Sequence, residues 1–503
     1  MRTAWRPSPY VWGALWILAL IAVHELYPER LEGRGALATP ILLLAGLLVA
    51  RKLWELPPAV TMCGAMVLRI FSNAWGQVGV GGVPLDRLLF VFVLLQVFLR
   101  SPGAARMPPL RLRNVHLLLG LTILYLLASA AAAGTLSGES GGLPILDEFG
   151  VAPFLAFLLA PSVFSGRRER NLLLAVLVGL GLYLGLTAVF ESVGPHALVF
   201  PHYIVAIDAA DPAERVNGPF QSSVAEGCAL FACAVAAAIA FAQWRGERRR
   251  WLAALAGAVC LFGCFATLER GVWIATLLGI VVASLATRTG RRRLLPGLLI
   301  AAVAIGGALA ASPSLSEKAS ARAGYERSVW DRKNQTAAGL RMLAAKPLFG
   351  FGLGRYKDDS LEYFRQPRDY PMTGRVAIDS VGIPEVVQPL HNLYLGYAVE
   401  LGLVGFSLWF ASLLWGVGGA IFARGPAELR PWKLGLLAIA VFLLAVTAVN
   451  PNQPPFTSLL LWTWAGVATA NVFSPAPGGL RDEAPRRTAQ AWRPARLKPV
   501  PGT

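Results

Sequence analysis

The chain has 503 residues, of which 55% are hydrophobic and 15% are charged, with a formal net charge of +17. Soluble chains of this length usually divide into several domains with charged surfaces, so this composition excludes an ordinary soluble protein. The basic residues stand in short clusters between apolar runs rather than on one soluble face, which excludes nucleic acid as a partner and is typical of membrane loops.

Apolar segments of membrane-spanning length follow one another along the chain. A helix of about 20 residues crosses a hydrocarbon layer and satisfies its own backbone hydrogen bonds there. We therefore predict an all-α, polytopic membrane helix bundle with about 12–14 transmembrane helices. The predicted spans are 10–27, 36–50, 56–71, 84–99, 115–133, 144–164, 171–193, 222–244, 250–267, 271–287, 294–312, 391–422, 431–449 and 456–473.

Basic clusters alternate with these spans. The clusters at 51–52, 167–170 and 245–250 all fall on one side of the predicted bundle. The positive-inside rule makes that side cytoplasmic. We therefore expect both termini in the cytoplasm and two long external (periplasmic) segments, 194–221 and 313–390. Loops of such length are usually functional.

The chain divides into two predicted parts. Residues 1–473 form a single polytopic transmembrane domain, which includes the large external loop 313–390. This loop has a helical pattern near 325–345 and many basic residues. It is either a solvated surface or a site for anionic head groups, phosphates or acidic glycans. The Pro- and Arg-rich tail, 474–503, is predicted to be disordered and cytoplasmic.

Polar residues at the predicted external surface are the candidates for chemistry, since the sequence has no nucleotide-binding loop and no metal-ligand motif. We accordingly expect no cofactor and no metal. An arginine as close to hydrocarbon as Arg270 is a functional candidate, unless it snorkels or pairs with Glu269 or Glu226. Glu226 lies within a predicted span and must face protein or water. Arg215 lies in the first long external segment.

His391 opens a predicted span directly after the large loop. A histidine in this setting can act as a general base near neutral pH. Neighbouring cations would lower its pKa and keep it neutral. His196 and His202 are also predicted to be external and compete for the same role.

Three stretches of sequence carry a pattern in a fixed order. They are Arg327-Ser-Val-Trp330 with Lys346-Pro-Leu-Phe-Gly-Phe-Gly-Leu-Gly354, then His391-Asn392 with Gly402-Leu-Val-Gly405, and a weaker set, Arg215…Gly218-Pro-Phe220 with Glu269-Arg270-Gly271. Together they resemble the O-antigen ligase and polymerase family of bacterial envelope glycan assembly. The family usually has Ser-Arg-Gly where this chain has Glu269-Arg270-Gly271.

The resemblance implies a membrane glycosyltransferase that moves a glycan from a polyprenyl diphosphate to an acceptor hydroxyl on the external membrane face. It further implies that transfer is metal-independent and inverts the anomeric carbon. Arg215 and Arg270 would stabilise the diphosphate, and His391 would orient or deprotonate the acceptor hydroxyl. The expected substrate-binding residues are Glu226, Arg327, Arg341 and Asn392.

The resemblance also implies the partners and the compartment. The partners are a lipid-linked donor such as an undecaprenyl diphosphate glycan, a glycan, lipid or protein acceptor, and membrane lipid. The compartment is the bacterial inner membrane, within lipopolysaccharide or exopolysaccharide biosynthesis. Ligase and polymerase activities both stay open.

A second hypothesis from another class is a multi-span transporter or flippase of lipid-linked oligosaccharides. The chain lacks the internal repeat that many transporters show. Convergence of Arg215, Arg270 and His391 on one cavity with lateral access from the lipid would favour the enzyme.

Overall fold

The computed structural model describes residues 53–71, 79–80, 83–99, 112–137, 142, 144–148, 150–208, 215–311, 316–317, 320, 327–364, 389–451 and 453–470. The predicted spans 10–27 and 36–50, the tail 474–503 and part of the large loop, including 365–388, lie outside the described residues.

The described part of the chain is built from α-helices. They are α1 Pro58–Arg69, α2 Leu85–Leu99, α3 Asn114–Ala133, α4 Val151–Val163, α5 Arg167–Val193, α6 Tyr203–Asp208, α7 Ser223–Gln243, α8 Glu247–Ala266, α9 Arg270–Leu285, α10 Arg288–Ala311, α11 Arg327–Ala345, α12 Tyr356–Asp359, α13 Leu393–Leu413, α14 Gly419–Phe422, α15 Arg430–Thr447 and α16 Pro455–Ala468. A two-residue antiparallel ladder, β1 Gly79–Val80 and β2 Val83–Pro84, lies between α1 and α2.

The predicted membrane fold is confirmed by the length and composition of these helices. Within the described residues, seven helical stretches are long and apolar enough to cross a membrane. They are Asn114–Ala133, Ile145–Val163, Arg167–Val193, Ser223–Gln243, Glu247–Ala266, Leu393–Phe422 and Ala427–Thr447. The predicted helix near 325–345 corresponds to α11. The chain is therefore an all-α polytopic membrane bundle.

Helix α7 lies at the centre of this bundle, in contact with α5, α8 and α15. Its alanines, among them Ala229, Ala232 and Ala236, are fully buried. In a lipid environment, small side chains let helices approach closely and gain van der Waals contact. Phe231 of α7 stacks on Phe442 of α15, with 4.4 Å between ring centroids. Because α9 also packs on α15, the beginnings of α7 and α9 are held near one another.

Helix α13 is interrupted at Gly402, whose φ of 66° lies in the left-handed region. The glycine-rich segment 346–354 docks on this break. Four backbone hydrogen bonds join the two, donor first: Phe351 N to Val399 O at 3.1 Å, Gly352 N to Glu400 O at 2.8 Å, Leu403 N to Pro347 O at 2.8 Å and Val404 N to Leu348 O at 3.2 Å.

We call this arrangement the α13 joint, meaning residues 346–354 together with 399–404. Irregular backbone at membrane depth is tolerated only where other groups satisfy its hydrogen bonds. A Cβ on Gly402 would lie 2.2 Å from the Leu348 carbonyl oxygen, so the joint closes around a residue without a side chain. The two glycine motifs of the sequence are thus two halves of one structure, which fixes the half of α13 that begins beside His391.

An ionic cluster joins α1, α2 and the π-helical turn Pro144–Glu148. Arg69 pairs with Asp86 at 2.8 Å and with Asp147 at 3.0 Å, and Arg87 also pairs with Asp147. Ionisable groups within membrane helices are costly unless they pair in this way. No pattern in the sequence indicated this cluster.

Candidate active site

His391 lies directly before α13, between that helix and α11. Its ring Nδ1 is 2.9 Å from Oε1 of Gln335, and its backbone N–H donates to the same oxygen at 3.2 Å. Gln335 belongs to α11 and is buried. The following residue, Asn392, caps α13 by accepting the Leu395 N–H at 3.0 Å. Both helices therefore contribute to holding His391 in place.

The surroundings of His391 favour a neutral imidazole. Burial and the guanidinium of Arg332 lower the pKa of His391, while a hydrogen bond to the Pro389 carbonyl and the Glu269 carboxylate act in the opposite direction. The net effect is a pKa below the ordinary histidine value. The neutral ring carries a lone pair and can accept a proton. His391 thus has the protonation state that a general base needs at neutral pH.

Arg215 and Glu269 form a salt bridge that joins two distant parts of the sequence. Nη1 of Arg215 donates to Oε1 of Glu269 at 2.5 Å, and the Ser223 hydroxyl reaches the same oxygen at 3.3 Å. Glu269 is the N-cap residue of α9 and is buried. The positive end of a helix dipole stabilises a carboxylate in this position. The pair holds the segment that begins at Arg215 against the start of α9.

Two more acidic residues lie against the segment 215–221. Oε1 of Glu191 accepts the backbone N–H groups of Asn217 at 3.3 Å and of Gly218 at 3.1 Å. Glu226 is fully buried, and a Cβ on Gly218 would lie 2.1 Å from its Oε2. Gly218 also has a φ of 54°, so its position requires glycine on both grounds. The expectation was that Glu226 faces protein or water, and the structure buries it within the protein.

The remaining predicted site residues have separate positions. Arg270 is the first residue of α9, next to Glu269. Arg341, on α11, donates from Nη1 to the Tyr363 carbonyl oxygen at 2.8 Å. It lies six residues beyond Gln335, which is about 9 Å along a helix. Arg327 is the first residue of α11, and its side chain lies outside the described part of the structure.

The structure therefore brings some of the predicted residues together. Glu269 pairs with Arg215 and also acts on the pKa of His391, so the start of α9, segment 215–221 and the start of α13 share one neighbourhood. The sequence suggests Glu269 as a partner for Arg270, whereas its described ion pair is with Arg215. The competing histidines, His196 and His202, are both exposed.

Two residues of this neighbourhood were missed from the sequence. Arg332 and Gln335 are three positions apart on α11, a spacing that places them on one face of the helix. Both act on His391, one through its charge and one through hydrogen bonds. The helical pattern near 325–345 was a usable signal, but nothing in the sequence indicated which face of that helix meets His391.

An apolar groove lies between α13 and α15, next to the neighbourhood of His391. It encloses about 160 Å³ and begins at Leu393 and Tyr394, which follow His391-Asn392 in the chain. The Tyr394 hydroxyl lies 3.0 Å from that of Thr447 on α15, which also lines the groove. Its lining includes none of the three predicted catalytic residues. Its lining consists mainly of aliphatic and aromatic side chains.

Metal binding has no visible basis in the described residues, which contain no group of three or more His, Cys, Asp or Glu that could hold an ion. The five cysteines are all buried and free. Metal-independent transfer stays a prediction.

One stretch of the chain matches a known protein family. Residues 255–410 match the family model described as O-antigen ligase. The matched range runs from α8 to α13 and includes Arg270, Arg332, Gln335, the whole α13 joint and His391. Arg215 and Glu226 precede it. No curated protein matches the chain. The match supports glycan transfer by a ligase-type enzyme and gives no support to the flippase alternative.

Proposed function

We propose that this chain, whose residues 255–410 match the O-antigen ligase family model, transfers a glycan from a polyprenyl diphosphate to an acceptor hydroxyl. The reaction would take place at the external face of the bacterial inner membrane. The acceptor oxygen attacks the anomeric carbon as the bond to the diphosphate breaks, which inverts that carbon. The proton of the acceptor hydroxyl passes to His391.

The single observation that carries this proposal is the convergence around Glu269. This carboxylate holds Arg215 at 2.5 Å and is close enough to affect the pKa of His391. A general base and a cation fixed for the leaving group thereby lie in one neighbourhood. Such a pairing is what displacement of a diphosphate by a hydroxyl requires.

In this mechanism the arginines stabilise the leaving group. As the bond to the anomeric carbon breaks, the diphosphate takes the electron pair and gains negative charge, which fixed guanidinium groups can stabilise without a metal. Glu269 orients Arg215 before the substrate arrives, and Arg270 extends the same site from the first turn of α9. Preorganised charges of this kind give the largest electrostatic benefit.

The other predicted substrate-binding residues have supporting roles in the proposal. Glu226 lies against Gly218, and Asn392 caps the helix that follows His391. Arg341 holds the chain at Tyr363, on the loop that we expect to meet the acceptor. We include Arg327 as a substrate contact on the resemblance alone.

The proposal also includes the orientation of the chain in the membrane. The termini and the basic tail 474–503 would be cytoplasmic, and residues 1–473 would form one domain with its working face outside. The apolar groove that begins at Leu393 supports a donor whose lipid tail enters from the bilayer.

The decisive experiment is transfer by purified protein in detergent or nanodiscs. The assay combines an undecaprenyl-diphosphate-linked oligosaccharide with lipid, protein or glycan acceptors, in the presence of EDTA. We expect a glycosylated acceptor of inverted anomeric configuration and free undecaprenyl diphosphate. A lipid or protein acceptor identifies a ligase, and a second copy of the donor glycan as acceptor identifies a polymerase.

Variants separate the proposed roles in this assay. We expect His391→Ala and Arg270→Ala each to reduce transfer by about 100-fold or more. His202→Ala is the matched control, because it removes an exposed histidine. Full transfer by both His391→Ala and Arg270→Ala would overturn the mechanism. Movement of the lipid-linked donor across the bilayer without transfer would instead support a flippase.

A further inference from the structure

One side-chain atom of Gln335, its Oε1, contacts two nitrogen atoms of His391. This oxygen lies 3.2 Å from the backbone nitrogen of His391 and 2.9 Å from ring Nδ1. The side chain is buried on α11, and its backbone carbonyl accepts from the Tyr356 hydroxyl at 3.4 Å. Its position is therefore determined by the packing of α11 as well as by His391.

The backbone contact determines which way the Gln335 amide faces. A backbone N–H can only donate, so the amide group opposite His391 N must be the oxygen and not the NH₂. The same oxygen also faces Nδ1. Because a carbonyl oxygen can only accept, Nδ1 must be the nitrogen that carries the hydrogen. In a neutral imidazole the lone pair is then on Nε2.

From this geometry we infer that Gln335 is a positioning residue that fixes His391 in the Nδ1-protonated tautomer and so directs Nε2 at the acceptor hydroxyl. The inference rests on the proposed function, because it assigns an atom to the proton transfer that the function requires. Nε2 takes the proton from the hydroxyl as the new glycosidic bond forms, and the ring becomes an imidazolium. Gln335 keeps accepting from Nδ1–H throughout, so nothing needs to rearrange.

Other groups near His391 do not replace this role. Arg332 carries only donors, and the Glu269 carboxylate is held by Arg215 and Ser223. The Pro389 carbonyl belongs to the same segment of chain as His391 and raises its pKa. Gln335 is the contact from another helix that restrains both the ring and the backbone of His391.

The test compares two substitutions at one position. Gln335→Met keeps the size of the side chain but removes the acceptor, and we expect kcat to fall by about 10- to 100-fold with little change in KM. Gln335→Glu keeps an acceptor oxygen for both contacts and adds a negative charge. It should retain activity and move the acid limb of the pH–rate profile to higher pH, since a nearby anion raises a histidine pKa.

A control and a direct measurement complete the experiment. Thr336→Val removes the neighbouring hydroxyl, which bonds only within α11 to the Arg332 carbonyl at 2.8 Å in the described contacts, and it should leave kcat and the pH profile unchanged. In ¹⁵N-histidine-labelled protein, the His391 signal, assigned by its loss in His391→Ala, should show the Nδ1–H tautomer. In Gln335→Met that signal should shift towards the Nε2–H form.

The outcomes distinguish this inference from the function on which it rests. Absence of transfer by the unaltered protein with any acceptor would overturn the proposed function. An active protein that needs His391, but in which Gln335→Met keeps full kcat or His391 is an Nε2–H tautomer, would overturn only the role of Gln335. A Gln335→Met protein that loses thermal stability and activity alike, with Gln335→Glu equally inactive, would also overturn it, because a structural role alone explains that result.

Discussion

At the scale of single residues, the pKa of His391 depends on charged groups from two other helices. Arg332 lowers this pKa and Glu269 raises it, while burial of the ring provides the main lowering effect. A general base works only when it is deprotonated, so a lowered pKa extends activity to more acidic conditions. We expect the acid limb of kcat/KM for the unaltered protein to lie below the ordinary histidine pKa of about 6.5.

Substitution of Arg332 tests that dependence. Arg332→Met removes the cation, so the pKa of His391 should rise and the acid limb should move to higher pH. Arg332→Lys keeps the charge and serves as the control, with the limb near its original position. The measurement is kcat/KM on the purified protein across about pH 4.5–8.5, a window of about two pH units either side of the ordinary histidine pKa. If the acid limb of Arg332→Met coincided with that of the unaltered protein, the charge of Arg332 would have no effect on the pKa of His391.

The Arg215–Glu269 pair offers a second prediction, in which stability and catalysis separate. Arg215→Met leaves the buried Glu269 carboxylate without the salt bridge, which should cost about 1–3 kcal/mol of unfolding free energy. The double variant Arg215→Met/Glu269→Gln should recover most of that loss, because the remaining group is neutral. Transfer should stay about 100-fold or more below the unaltered level in both.

The measurements for this cycle are thermal unfolding in detergent and the transfer assay. Recovery of transfer together with stability in the double variant would contradict a direct role for Arg215. In the sequence Glu269 appeared as a departure from Ser-Arg-Gly and as a possible partner of Arg270, but not of Arg215. Its partner lies 54 positions away, a separation that no local pattern reveals.

At the scale of helices, the α13 joint makes Gly402 a sensitive position. Gly402→Ala must hold an L side chain at a φ of 66° and place its Cβ 2.2 Å from the Leu348 oxygen. The left-handed backbone alone costs about 1–2 kcal/mol for such a residue. We expect a lower unfolding temperature and faster proteolysis within 346–354.

Gly396→Ala is the matched control for that substitution. Gly396 lies in the same helix, and the nearest atom to an added Cβ is Leu390 Cδ2 at 3.9 Å. Alanine there should leave the unfolding temperature and the proteolysis pattern unchanged. Equal behaviour of the two variants would show that the joint is not closed as described.

The helices themselves followed from the sequence, because the apolar runs have the length of a membrane span and end at basic or glycine-rich clusters. The predicted span 391–422 corresponds to Leu393–Phe422. Its interruption at Gly402 and the π-helical turn Leu414–Gly418 were not predicted. Hydropathy registers composition, whereas the break depends on backbone hydrogen bonds to a segment about 50 residues earlier in the chain.

At the scale of the whole molecule, the proposed orientation gives a labelling prediction. The five native cysteines are buried, so an added exposed cysteine should supply the main signal with a membrane-impermeant maleimide. Ser137→Cys lies between the predicted spans 115–133 and 144–164, on the side opposite the basic clusters, and should react in intact spheroplasts. Glu247→Cys, in the predicted cytoplasmic cluster 245–250, should react only after the membrane is opened. The reverse pattern would invert the proposed topology.

Only part of the candidate site could be predicted from the sequence. His391, Arg215 and Arg270 were predicted from motifs and from predicted topology, and the first two share a neighbourhood through Glu269. Gln335 and Arg332 escaped notice because a helical pattern does not specify which face meets another helix. Arg341 was predicted from its charge alone, and its described partner is a backbone carbonyl.

The α13 joint also has a consequence for biosynthesis. Residues 346–354 leave the ribosome before residues 399–404, so the segment that completes the broken helix is synthesised ahead of it. When α13 enters the bilayer, the segment whose backbone N–H groups bond to the carbonyls of Val399 and Glu400 has already been synthesised. A chain rearranged so that 346–354 followed α13 would have to insert that helix with those groups unsatisfied. The order of the two motifs along the gene therefore favours correct insertion.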